Sequence, residues 1–105
     1  MMYYKNYIDT EKGIRGICIL SRDHGAHPHY HAEDEIYELI YGEGLMRIGN
    51  TSTVVKAPYM TRIPGNIIHT ISAISPFIIL KYSFPRGPFN TIQYTWLPEN
   101  GISKL

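Results

Sequence analysis

The sequence predicts an all-β protein, a sandwich or barrel of short strands. Three observations carry that reading. Runs of roughly four to eight residues rich in β-branched and aromatic side chains follow one another along the chain. Gly, Pro and Asn clusters separate them at short intervals. No window of helical length shows a 3.6-residue apolar period. The jelly roll is one architecture that satisfies such a pattern.

The elements follow in order. The N-terminal segment MMYYKNYIDTEK is polar and aromatic, with no apolar h-region. No signal peptide or membrane span is expected, and a cytoplasmic protein follows by default. Ile14 to Ser21 is apolar on both faces and short, which suits a buried strand. Ala26 to His31 is the next strand, limited to an edge or a short ladder by Pro28. Glu35 to Tyr41 alternates, and Gly42-Glu43-Gly44 after it reads as a turn. Leu45–Ile48 and Ser52–Lys56 flank Gly49-Asn50-Thr51, a hairpin signal. Tyr59–Ile63 ends at the turn Pro64-Gly65-Asn66. Ile67–Ile74 and Phe77–Ser83 flank Ser75-Pro76, and Thr91–Leu97 is the last strand.

Composition sets bounds. The 105 residues form one expected domain, residues 1–105, with its core within about 14–97. A hydrophobic fraction of 44% argues against disorder. A net charge of +1 gives no electrostatic case for nucleic acid or an anionic membrane as partner. The lone Cys18 excludes an internal disulfide and reads as a buried small residue.

Chemistry concentrates between His27 and Gly44, HPHYHAEDEIYELIYGEG. Residues two apart on a strand share a face, so His29 and His31 can aim two imidazoles at one point. Glu35 can bring a carboxylate beside them, and His69 is a further candidate downstream. Histidine and carboxylate together suit a divalent transition metal.

Those residues resemble a cupin. The first cupin motif, HxH followed by Glu and Gly, fits His29, His31, Glu35 and Gly42 without a gap. The second, PxGxxH, matches at Pro64 and His69, with Asn66 in place of Gly. Asn tolerates a left-handed turn better than most residues. Asp23 and Ala73 stand where the motifs usually have Gly and Asn. The resemblance covers His29 to His69 and implies a double-stranded β-helix, a jelly-roll barrel with the metal inside. It implies His29, His31, Glu35 and His69 as ligands of one divalent ion: Fe, Mn, Ni, Co or Zn. A homodimer is expected on the same ground.

Strand parity extends this. If Glu35 points inward, so do Tyr37, Leu39 and Tyr41, while Ile36, Glu38 and Ile40 face away. If His69 points inward, so do Ile71 and Ala73. The outward face, with Ile36 and Ile40, is expected to pack on a second sheet or another subunit. His27 reads as a rim residue and His24 as a solvated loop residue. Arg47 and Arg62 read as surface residues, and Trp96 as core or interface. Tyr37 reads either as a packed core aromatic or as a proton-transfer group beside the metal. Glu35-x-Tyr37 resembles a pair found in cupin lyases that cleave dimethylsulfoniopropionate, where the Tyr serves as base. That likeness nominates Tyr37 as catalytic and names no substrate.

Two functional classes follow. One is a metal-dependent enzyme on a small organic substrate, dioxygenase-like or lyase/isomerase-like. The other is a non-catalytic module that binds a metal, a sugar or another small ligand. A structural relic of either is the third reading.

Overall fold

The structure, a computed structural model, describes residues 1–97. Its strands are β1 (Met2–Thr10), β2 (Gly13–Ser21), β3 (His29–Tyr30), β4 (Glu35–Tyr41), β5 (Glu43–Ile48), β6 (Thr51–Lys56), β7 (Tyr59–Ile63), β8 (His69–Ala73), β9 (Phe77–Phe84) and β10 (Thr95–Trp96). Single 3-10 turns occupy Arg22–His24 and Phe89–Thr91. The strands form two five-stranded sheets, ordered β1-β2-β9-β4-β7 and β10-β3-β8-β5-β6. All pairings are antiparallel. The sheets close over an apolar core in the expected jelly-roll manner, with Ile14, Leu39, Ile63 and Ile78 fully buried. Among the described residues no helix is long and apolar enough to cross a membrane. The expected domain end, 98–105, lies outside the described residues.

The central strands match their expected bounds closely because alternation and burial agree there. Along β4, Glu35, Tyr37 and Leu39 are buried while Ile36, Glu38 and Ile40 are exposed. On β8, His69, Ile71 and Ala73 are all buried.

Five expectations are corrected. The N-terminal segment is a strand. It has aromatic residues on both parities, so no period of two shows. It pairs with β2 from Met2↔Leu20 to Thr10↔Gly13, and nearly every residue of it is exposed. Pairing rather than burial makes it a strand. The segment from Ala26 to His31 shrinks to two residues, because Pro28 has no N–H to give a ladder. The segment from Thr91 to Leu97 shrinks likewise. The Thr91 and Ile92 amides bond back to Pro88 and Phe89, at 2.9 and 3.0 Å, and are not free for a sheet. The glycine-flanked turn narrows to Gly42, at φ 94°, since Glu43 and Gly44 already pair in β5. Finally, Tyr41 faces out. Between Leu39↔Leu80 and Tyr41↔Ile79 strand β4 advances two residues against one on β9. That bulge flips the parity, leaving Tyr41 stacked on Phe77 with centroids 5.0 Å apart.

Candidate metal centre

Two short segments must meet to build the centre: the bend 31–34 between β3 and β4, and the turn 64–66 before β8. Their backbones lock together. The Asn66 amide donates to the His31 carbonyl at 2.7 Å, and the Gly65 amide donates to Asp34 Oδ1 at 2.8 Å. Arg62 holds the other Asp34 oxygen at 2.5 Å. The Gly65 amide, then Arg62, keeps the Asp34 carboxyl below its usual range. Gly65 is required by proximity, since a Cβ there would sit 2.0 Å from the Ala32 carbonyl oxygen. Asn66 adopts φ 63°, the left-handed turn for which Asn substitutes for Gly. The docked turn places His69, the first residue of β8, opposite His29 on β3.

His29, His31, Glu35 and His69 are thereby brought together, as the motifs imply, and all four are buried. Their donor atoms all lie within 4.8 Å of one another. His31 Nε2 is 3.0 Å and His69 Nε2 3.2 Å from Glu35 Oε1. Each imidazole is oriented from behind by a backbone carbonyl. Nδ1 of His29 lies 2.9 Å from the His27 carbonyl, that of His31 2.9 Å from Glu33, and that of His69 2.8 Å from Ile67. A carbonyl only accepts, so each Nδ1 carries the proton and donates it. Each Nε2 of a neutral ring then turns a lone pair on the cluster. Three lone pairs and a carboxylate facing one point suit a cation between them. The residues fit a divalent metal, and outer carbonyl bonds of this kind are how metal-bound histidines are usually held. Burial lowers the His29 imidazolium to about 4, favouring the neutral ligand form. For His31 burial also acts downward, but the Glu35 carboxylate outweighs it and the value is raised.

A cavity of about 470 Å³ opens beside the centre, reached by His29, Glu35 and Tyr37. Leu20, Ile71 and Leu80 give it apolar walls. Tyr37 is buried, with its ring 5.7 Å from that of His69. Its hydroxyl makes no hydrogen bond among the described residues. Burial, then the Glu35 charge, raises its phenol well above the ordinary value.

Three features were not foreseen. Tyr94 packs against the His29 and His31 rings at 5.2 and 5.1 Å. Trp96 is not part of the core. It stacks on Tyr94 at 5.3 Å and 10°, lies 4.6 Å from the His29 ring, and stays 59% exposed at the cavity mouth. The signal was present, because Tyr94 and Trp96 share strand parity; what was missing was the Trp96↔His29 register. Glu33 is the third. Its carbonyl holds His31, its buried carboxylate is held by Arg86, and its Oε1 has no partner among the described residues. Arg86 is too distant in sequence for spacing to reveal the pair.

The other candidates fall outside the cluster. His27 is exposed, lines the cavity rim, and places Nε2 2.9 Å from the His24 carbonyl. His24 is half-buried against His27 and also lines the cavity, so it is not simply a solvated loop residue. Burial, then His27, lowers its pKa. Arg47 bonds the Gly49 carbonyl and Arg62 bonds Asp34, both away from the cavity. Cys18 is buried at the cavity wall, its thiol pushed up by burial to about 11.

No protein-family model matches the sequence, and no curated protein matches it. Solved structures do. An RmlC-like cupin from Shewanella frigidimarina superposes with a TM-score of 0.75 at 13% identity, over 85% of this chain and 79% of that one. The chain has the cupin fold. A chain from crystal structures of DMSP lyases is similar to this cupin fold with a TM-score of 0.74 at 13% identity. It covers 90% of this chain and only 51% of its own, so the present chain spans about half of the lyase. Salicylate 1,2-dioxygenase from Pseudoaminobacter salicylatoxidans gives 0.77 at 11% identity, over 90% of this chain and 28% of that one. These likenesses are of fold. Within that fold His29, His31, Glu35 and His69 stand together.

Proposed function

We propose that this chain is a metal-dependent enzyme acting on a small organic substrate in the cavity. His29, His31, Glu35 and His69 hold one divalent ion, Fe, Mn, Ni, Co or Zn, and Tyr37 is the catalytic proton-transfer group. One observation carries the reading. Three imidazoles, each fixed through Nδ1, converge with a carboxylate, and His29, Glu35 and the Tyr37 phenol bring that cluster to the wall of an apolar cavity. A structural site needs no such cavity, and a closed tetrahedral one leaves no open position.

The ion supplies Lewis acidity to a bound substrate oxygen and positive charge beside Tyr37. The chain does the rest. Glu35 and the three histidines fix where that oxygen sits. Leu20, Ile71 and Leu80 exclude water from the carbon skeleton. Tyr37 holds or accepts a proton on the face of β4 that it shares with Glu35. That placement favours a lyase or isomerase, whose central step is proton transfer. A dioxygenase is the second reading, favoured because four protein ligands leave an octahedral ion two further positions. A homodimer is part of the proposal, since Ile36, Ile40 and Tyr41 leave an apolar strip exposed on the outward sheet face.

The test is metal analysis of protein purified from its own host, then assay of the loaded protein with small acids and diketones. Turnover without oxygen uptake supports the lyase or isomerase, and stoichiometric oxygen consumption the dioxygenase. Tight ligand binding without turnover of any tested compound would favour the binding module. Substoichiometric metal that added metal cannot restore would remove the reading.

A further inference from the structure

Charge and flatness in the cavity narrow what it can hold. Among the described residues no Lys or Arg lines it. Lys12, Arg15 and Arg62 line a different cleft, on the outward face of the first sheet. Arg86 is engaged by Glu33, and Arg47 by its own turn. The N-terminal ammonium pairs with Asp23. The one carboxylate that reaches the cavity, Glu35, belongs to the ligand cluster. A phosphorylated or polycarboxylated ligand would bring several charges into an apolar space where only the metal and the rim imidazoles of His24 and His27 could oppose them. Burying unpaired charge in this way is costly.

The apolar lining is not uniform. Part of it is aliphatic, from Leu20, Ile71 and Leu80. Part is aromatic, where Tyr94 and Trp96 form a near-parallel slab beside His29. Trp96 is 59% exposed although it lies in a concave site, so a broad flat apolar surface is open at the mouth. The rings of Tyr37 and Tyr94 stand against the cluster, 5.7 Å from the His69 ring and 5.2 Å from the His29 ring, and both are phenols able to donate to a ligand oxygen.

We propose that the cavity takes a flat molecule with an aromatic ring, two neighbouring oxygen donors and at most one negative charge. Its oxygens face the His and Glu cluster, and its ring lies along Trp96. This rests on the metal-dependent reading above and narrows its substrate class.

The experiment uses the full chain loaded with zinc and two probes, benzohydroxamate and acetohydroxamate. Both present the same oxygen pair; they differ by phenyl against methyl. Trp96 is the single tryptophan, so its emission reports on the slab directly. Calorimetry should show benzohydroxamate binding at least about tenfold more tightly, as burial of a phenyl group predicts, with a change in Trp96 emission. Trp96→Ala should shrink the gap to less than about threefold at unchanged zinc content, whereas Trp96→Phe should keep most of it. Equal affinities on stoichiometric zinc protein overturn this inference and leave the metal reading standing. Failure of the folded protein to take up zinc overturns the metal reading, and this inference with it.

Discussion

Gly65→Ala is the sharpest probe of how the fold builds the centre. The new Cβ would lie 2.0 Å from the Ala32 carbonyl oxygen and 2.9 Å from the Ala32 carbonyl carbon. Both are backbone atoms and cannot rotate aside. Ordinary contact begins at 3.4 Å, so the turn must retreat by 3.4 − 2.0, about 1.4 Å. A retreat of that size breaks the Asn66–His31 backbone bond of 2.7 Å, a loss of about 1 kcal/mol. Residual overlap adds about 1–3 kcal/mol, so the variant loses roughly 2–4 kcal/mol and about 10–25 °C in Tm. The retreat also drags His69, three residues on, away from Glu35. Metal affinity should fall at least about tenfold, the scale set by disturbed ligand support. Thermal melting of the metal-free protein measures the first effect, and competition with a zinc-binding dye the second. Gly49→Ala is the control. Gly49 has φ 60°, and its nearest neighbour to a new Cβ is Ile67 at 4.0 Å. It should cost only about 1 kcal/mol of backbone strain and leave metal affinity unchanged. If Gly65→Ala melts within about 2 °C of the parent and keeps its affinity, the docked turn does not position His69 and the reasoning fails.

Other outcomes follow from the same geometry. Chelation should leave the β circular dichroism intact and lower Tm modestly, because the core forms without the ion; loss of the β signal at room temperature would contradict this. Tyr37→Phe should keep metal and fold yet lose turnover, more in kcat than in KM. Tyr41→Phe, on the outer side of the bulge, should match the parent, and equal activity of both variants would return Tyr37 to a packing role. Cys18 should alkylate roughly 100-fold more slowly than free cysteine at pH 8, because its thiol is raised from 9.0 to about 11. Its rate should keep climbing about tenfold per pH unit toward 11, whereas a plateau near pH 9, followed by mass spectrometry, would show an unburied thiol.

The sequence displayed the ligands more clearly than the cavity. His29, His31, Glu35 and His69, the proposed ligands, are legible because the motifs hold them at fixed spacing, and fixed spacing survives in one dimension. Inward-facing Tyr37, Leu39 and Ile71 are legible because strand parity is a local rule. That rule fails at Tyr41, where an extra residue on β4 is set by pairing with β9 rather than by any feature of the EIYELIY run. Strand β1 was illegible for a related reason: it is an edge strand, ordered by hydrogen bonds to β2 and not by burial. Trp96 and Glu33 depend on partners far along the chain, His29 and Arg86. Their identities hint at burial or charge, and only the folded register says where they point.

The orientation of the three imidazoles is encoded more locally than the meeting of the strands. Each Nδ1 uses a carbonyl two residues away: His27 for His29, Glu33 for His31, Ile67 for His69. Within a paired strand those carbonyls would be committed to a neighbouring ladder. They are free here because His29 and His69 open their strands and His31 follows one. Ligands placed at strand ends therefore gain a backbone partner that a mid-strand histidine lacks. The rings are aimed before any ion arrives, and the ordering cost of binding falls on few groups. Burial acts against a charged His31, but the Glu35 hydrogen bond and charge outweigh it and draw its value upward. The aim of the three imidazoles is thus set by local backbone, and the core that surrounds them stands on Ile14, Leu39, Ile63 and Ile78.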